Sequence, residues 1–442
     1  MAEEYNRRSV KTLRAAKAAS AHQKEWFLSL RERVANGEPL LFGMPPLEVV
    51  HAMDIPCIVT VWWTALCSAK QYGKQMYGFL DDAGYRSDVC SYCISGLACG
   101  LDPHPEEGPW GGLPKPTAVI TGTGCENSAK IGELMAKAFG TKVYYQTNTV
   151  ATEVDPDLPW YDMATDHWDQ IIQSKCLDRA EEELWNIIRF LEQETGRNLD
   201  MNRLIQAINW GVEQNLWFRK ARDLIVRTVP APVAIADVVG AVMQTQWHKG
   251  TEWAVGHAKA FYEEIKERVD NGVTAIKNER IRLMWLGRGL WFNLAFYQYF
   301  EEKYGAAFIW SMYLAMAADT HPKRIIGDNP VRALAAYETM NVLHVPPWNN
   351  NWFLSEAIRN QIDGVVYLVP ENCMNNGDFA YFIAKRLEDA GFPVCVLRAD
   401  PADDKKWDQD AMTAAVEDLI VNRIIPNQEK KRAERAARAE SV

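Results

Sequence analysis

An apolar run, Thr117-Ala-Val-Ile-Thr121, ends in a glycine turn, Gly122-Thr-Gly-Cys125. It passes into a helical stretch, Glu126–Phe139, and a further strand-like run, Lys142–Gln146. Strand, glycine turn, helix, strand is the repeating unit of a parallel sheet, which restricts the chain to an α/β architecture. Ligands in such sheets bind outside the carboxyl ends of the strands, and Cys125 falls at such an end. The pattern returns late in the chain. Gly364–Pro370 is a near-continuous apolar strand, Glu371-Asn372-Cys373 follows it, and Gly377–Ala390 reads as a helix. Each half therefore has a strand whose end delivers a cysteine, a loose two-fold pattern.

The rest of the chain fits around these two units. Residues 5–36 read as one or two helices with a basic face, solvated or docked on a partner. Pro39–Gly43 and Ile55–Val61 are predicted strands, Met44–Met53 and Thr64–Leu80 predicted helices. Pro103–Pro116 is a loop rich in Pro and Gly, and residues 160–270 are mostly helical. Arg280–Gly287 opens the second half as a strand running into Gly287-Arg-Gly289, followed by a helix at Trp291–Lys303. The expected division is an N-terminal extension (1–36), a first α/β domain (37–160), a helical segment (161–279), a second α/β domain (280–425) and a charged tail (426–442).

With 442 residues, two or three domains are expected, and a net charge of −10 argues against non-specific nucleic-acid binding. No signal peptide opens the chain, and no apolar run approaches the roughly 20 residues needed to span a bilayer. A cytoplasmic protein is expected, in which nine cysteines do not suggest a disulfide framework. The 17 Trp supply large apolar surface for a core or contacts, and for walls around a flat ligand.

Common catalytic motifs are missing. There is no G-x-x-x-x-G-K-S/T loop for ATP, no G-x-G-x-x-G after a strand, no H-E-x-x-H and no G-x-S-x-G. What remains is thiolate chemistry. Asp88–Gly100 (DVCSYCISGLACG) places Cys90, Cys93 and Cys99 within ten residues, too small a span to close a metal site alone. Cys90, Cys93, Cys125 and Cys373 all lie next to turns. Thiolates favour zinc, copper(I) or iron–sulfur clusters; structural zinc usually takes two compact pairs, whereas a cluster tolerates ligands far apart in sequence.

At these residues the chain resembles the 2-hydroxyacyl-CoA dehydratase / benzoyl-CoA reductase cluster subunits. C-S-Y at Cys90–Tyr92, T-G-x-G-C at Thr121–Cys125, the apolar strand leading to Cys373 and R-I-x-L-x-W-L-G at Arg280–Gly287 carry the resemblance, over roughly residues 35–425. It implies two flavodoxin-like parallel-sheet domains with a helical N-terminal segment and a helical insertion. It implies a 4Fe-4S cluster on three cysteines, here Cys90, Cys125 and Cys373. Cys93 departs from that pattern, as the true first ligand, a fourth ligand or a bystander; a double cluster, seen among relatives, is the other arrangement in view.

Length, Trp content and the extended N-terminus look most like the larger cluster subunit of ATP-dependent benzoyl-CoA reductase. That resemblance implies a complex with a smaller homologous cluster subunit, two ATP-binding activator subunits and a ferredoxin-type donor, acting on benzoyl-CoA or a substituted analogue. Two alternatives stand beside it: a 2-hydroxyacyl-CoA dehydratase subunit, and a non-catalytic electron-relay or structural subunit. Trp285 and Trp291, flanking Gly287-Arg-Gly289, are the aromatics expected near an arene, though a core role accounts for them equally well. Arg288 is the candidate partner for a CoA phosphate, against the plainer reading of a solvated charge. For proton supply, Glu126 beside Cys125 is a candidate, though a first-turn Glu favouring the helix dipole is the plainer account. His344, Glu371 and Asp319 carry no stronger signal.

Overall fold

Eight short strands, each parallel to its neighbours, form two four-stranded sheets among the described residues. The computed structural model describes residues 9–122, 125–147, 159–320, 323–340, 351–370, 373–405 and 407–430. The first sheet comprises β1 (Leu41–Gly43), β2 (Cys57–Val59), β3 (Ala118–Gly122) and β4 (Lys142–Gln146), ordered β2-β1-β3-β4. The second comprises β5 (Ile281–Gly287), β6 (Ala306–Ser311), β7 (Gly364–Val369) and β8 (Val394–Arg398), ordered β6-β5-β7-β8. Numbered within each half, both orders read 2-1-3-4, a flavodoxin-like winding. The two-fold pattern in the sequence is thus a repeated topology.

The winding reverses between the first and third strands, and the crevice at their carboxyl ends is where such sheets bind ligands. The same device builds both crevices. Gly43 ends β1 with φ +148°, and a Cβ there would stand 1.9 Å from the Ile120 carbonyl oxygen of β3. Gly287 ends β5 with φ +94°, and its Cβ would stand 2.2 Å from the Leu368 oxygen of β7. Only glycine lets the first strand leave the sheet this close to the third.

The predicted element types hold along most of the chain, with two informative differences. Thr64–Leu80 is not one helix: Thr60–Ala69 and Gly73–Asp82 are separated at Gln71, which has φ 61°. The N-terminal basic helix, Arg14–Ala35, is packed on this chain and is not simply solvated. Ala15, Ala16, Ala19, Phe27 and Leu30 are buried. Its start is set by carboxylates from other helices. Asp237 accepts from the Thr12 and Leu13 amides, at 2.8 and 3.0 Å, and Glu264 accepts from those of Arg14 and Ala15, both at 2.8 Å. Local sequence shows no cap there because the capping oxygens lie more than two hundred residues away.

The helices Ser174–Thr195, Met201–Arg227, Ile235–Gln246 and Glu252–Asp270 form the helical insertion between the sheets. Among the described residues no helix is long and apolar enough to cross a membrane.

Candidate functional site: a thiol series at three helix N-termini

Three cysteines occupy equivalent local positions. Cys90 precedes the Ser91–Gly100 helix, Cys125 precedes Glu126–Phe139 and Cys373 precedes Met374–Asp389, each as the N-cap residue. Cys125 and Cys373 are also topologically equivalent, since each follows the third strand of its sheet. N-caps of helices that start at strand ends place sulfur where unpaired amides and the positive end of the helix dipole favour an anion.

The structure brings all four candidate cysteines together. Cys373 and Cys90 are within hydrogen-bonding reach, as are Cys90 and Cys93, and Cys93 and Cys125. Cys373 favours the Cys90 thiolate, but Cys93 and burial outweigh it and push this thiol up. Cys125, together with burial, pushes Cys93 up despite the opposing effect of Cys90. The Cys125 thiol is lowered to about 7; neighbouring Cys93 is the main cause, burial opposes it, and the backbone amides of Ser128 and Asn127 add to it. Because Cys90 and Cys373 come from different halves, the carboxyl edges of the two sheets meet at this series.

A carboxylate from the second half locks the first. Asp400, just beyond β8, accepts from the Ser91 amide at 3.0 Å, and from the Ala402 and Asp403 amides at 2.8 and 2.9 Å. It supplies the capping oxygen that Cys90 does not. The Ser68 hydroxyl donates to the Ala402 carbonyl at 2.9 Å across the same seam, and within the second half the Trp291 amide donates to the Pro401 carbonyl at 3.0 Å.

Arg288 lies in the electrostatic field of this site. It faces Cys373, Cys90, Tyr92 and Tyr313, and its guanidinium stands 5.8 Å from the centre of the Tyr92 ring. Trp291 is nearly buried, donates through its indole N–H to the Tyr92 hydroxyl, and packs against Tyr313 at 5.8 Å between ring centres. The Tyr313 hydroxyl accepts from the Gly289 amide at 2.7 Å. Tyr92, Trp291 and Tyr313 thus form an aromatic wall beside the cysteines.

Trp285 is elsewhere. It is fully buried within the second sheet's core, edge-on to Phe296, Tyr297 and Phe308, and its indole donates to the Arg288 carbonyl at 2.7 Å. It has no surface for a substrate, because its position in β5 points it into the helix–sheet layer; its effect on the site is to hold the Arg288 backbone. Cys57, Cys67 and Cys99 are buried away from the series; Cys99 accepts from the Trp63 indole at 3.1 Å. Asp319 is sealed in a charge network with Arg222 and Glu356. His344 and Glu371 lie outside the described residues, as does the side chain of Glu126. Tyr92 and Tyr313 were not singled out as site residues from sequence, although Tyr92 sits inside the C-S-Y motif.

Among the described residues no three His, Cys, Asp or Glu side chains are arranged around a point to hold a metal ion. The thiols run pairwise instead. Their soft donor chemistry, three dipole-favoured positions and one thiol already near neutrality fit a multi-iron centre gripped at several corners better than a lone ion.

None of the curated proteins compared with the chain matches it. The family model described as 2-hydroxyglutaryl-CoA dehydratase, D-component, matches residues 43–420, from the glycine at the end of β1 to beyond β8. The chain belongs to that family of CoA-thioester enzyme components.

Proposed function

We propose that this chain is the iron–sulfur subunit of an ATP-dependent aryl-CoA reductase. In this reading Cys90, Cys125 and Cys373 hold a 4Fe-4S cluster, with Cys93 hydrogen-bonded inside the set. The thiol series at three helix N-termini, where the two sheets meet, is the observation that carries it. When bound, such a cluster supplies a low-potential one-electron couple, tuned by burial and by hydrogen bonds to its sulfurs.

The chain's own residues supply the setting. The helix N-termini and Arg288 favour negative charge on the sulfurs. Tyr92, Trp291 and Tyr313 close one side of the site and exclude water, which would otherwise take up electrons as protons are reduced. Asp400 keeps the Cys90 helix registered against the second half. The sequence has no P-loop, in keeping with ATP hydrolysis on activator subunits that accept electrons from a ferredoxin-type donor. A smaller homologous cluster subunit completes the complex. The substrate is benzoyl-CoA or a ring-substituted analogue, and the product a cyclohexadienoyl-CoA.

The family model's description supports a second reading, a 2-hydroxyacyl-CoA dehydratase component, on the same cysteines. Anaerobic assays of the complex with ATP and a low-potential reductant separate the two. Benzoyl-CoA turnover with stoichiometric reductant consumption supports the first. Turnover of a 2-hydroxyacyl-CoA with no net reductant supports the second, and a colourless protein lacking iron and sulfide contradicts both.

A further inference from the structure

A cavity away from the thiols opens at the other end of the first sheet. Its volume is about 210 Å³, and its wall includes Ile55, Pro56 and Cys57, where the chain enters β2. β2 runs parallel to β1, and β1 to β3, so this is the amino-terminal edge of the sheet. Cys125 follows β3 at the opposite edge.

Four elements close the cavity. The N-terminal helix supplies Trp26 and Arg33, and the Leu47–Ala52 helix supplies His51. The Met201–Arg227 helix supplies Arg203 and Trp210, and the turn after the Ile235–Gln246 helix supplies Trp247. Trp26 and Arg33 precede residue 43, where the family match begins, so part of this wall lies outside the matched region.

The wall is aromatic and rich in donors. Trp26, Trp210 and Trp247 are half-buried, and none of their indole N–H groups donates to a protein acceptor among the described residues. Arg203 is exposed at the rim. Its Nη2 donates to the His51 carbonyl at 3.1 Å, and no carboxylate pairs with its guanidinium among the described residues. Arg33 turns Nε and Nη2 toward Glu38, at 3.0 and 2.7 Å. Asp54 is the acid on the wall, and it is countered from two sides, 3.9 Å from Arg33 and 3.6 Å from Arg197. His51 adds no charge at neutral pH, because burial pushes its imidazole down to about 4. Its buried Nε2 has no hydrogen-bond partner among the described residues.

Size and lining select the occupant. A cavity of about 150 Å³ holds benzene, so 210 Å³ takes one ring with a small substituent and excludes a CoA thioester or a nucleotide. Indole faces favour a planar ring, and an unpaired guanidinium among free N–H donors favours a carboxylate on it. We infer that this cavity binds a monocyclic aromatic carboxylate, with the ring among Trp26, Trp210 and Trp247 and the carboxylate on Arg203. Such an acid is the acyl part of an aryl-CoA thioester without its CoA, but the assignment does not rest on the reading under Proposed function. The bound acid bridges the N-terminal helix and the helical insertion, and so stabilises the fold.

The test is isothermal titration calorimetry of the full-length protein with benzoate, its neutral isostere benzamide, and cyclohexanecarboxylate. Wild type, R203Q and W210L are compared. Benzoate is expected to bind wild type saturably and to raise its melting temperature. It should bind more tightly than either of the other two ligands. R203Q, a change at an exposed side chain, is expected to weaken benzoate by about 10-fold or more and to leave benzamide unaffected. W210L is expected to weaken all three; should it fail to fold, R203Q and the ligand series still decide. No saturable benzoate binding to wild type overturns the assignment. So does benzoate binding to R203Q within about twofold of wild type, or benzamide binding to wild type as tightly as benzoate.

Discussion

Glu356 shows how burial at a single residue becomes pH dependence. It is wholly buried, its Oε2 accepts from the Trp310 indole at 2.7 Å, and Arg359 lies 3.1 Å from Oε1. Burial, then the Asp319 carboxylate, raises it to about 7 from 4.5, although Arg222 and Arg359 pull it down. The folded state therefore holds this proton more tightly than the unfolded chain does. The associated stability is full below about pH 4.5 and is lost as pH rises through about 7. E356Q removes that titration. Denaturant unfolding of E356Q and wild type from pH 5 to 8 is expected to show the difference moving in favour of Gln as pH rises, and a constant difference would contradict this.

At the scale of elements, the site is an intersection of helix N-termini and strand ends, each with a separate vulnerability. Asp400 caps the helix behind Cys90 from the opposite half. D400A is expected to cost about 1 kcal/mol of stability, the usual worth of a lost cap, and to speed amide exchange at Ser91. Unchanged exchange there would show that the latch is not what holds the helix. Gly287 is a stricter constraint. An added Cβ meets the Leu368 backbone oxygen at 2.2 Å with φ at +94°. G287A is expected to separate β5 from β7 and lower both soluble yield and melting temperature, more than alanine at Gly78, where a Cβ meets nothing within 4 Å. Equal behaviour of the two variants would count against the close approach.

At the scale of the whole molecule, two sheets of the same winding face one another through cysteines at equivalent positions, joined by a helical insertion. Much of this was legible in the sequence because it is local. The apolar runs ending in glycine or proline mark strands, and the β3 turn and its helix follow from hydrophobic periodicity alone. Convergence of Cys90, Cys125 and Cys373 was also an expectation, implied by the family resemblance, with the role of Cys93 left open.

What could not be read depends on long-range partners. The Asp400 latch spans 309 residues, and the Asp237 and Glu264 caps of the first helix span 225 and 250 at Thr12 and Arg14. Trp285 and Trp291 look alike as sequence, since aromatic surface serves a core and a binding wall equally well. Only the turn after β5 separates them, leaving one within the sheet core and the other at the seam.

The central claim is that thiols from both halves hold one iron–sulfur centre, and the most direct measurement is iron and sulfide content with EPR of the anaerobically purified complex. Wild type, C125S, C373S and C93S are to be compared. The account predicts about four iron and four sulfide per cluster on this chain in wild type. C125S and C373S should both lose most of that content and the EPR signal, whereas C93S should keep the iron with an altered spectrum. Wild-type protein without iron and sulfide, or a C373S variant with unchanged content and spectrum, would contradict it.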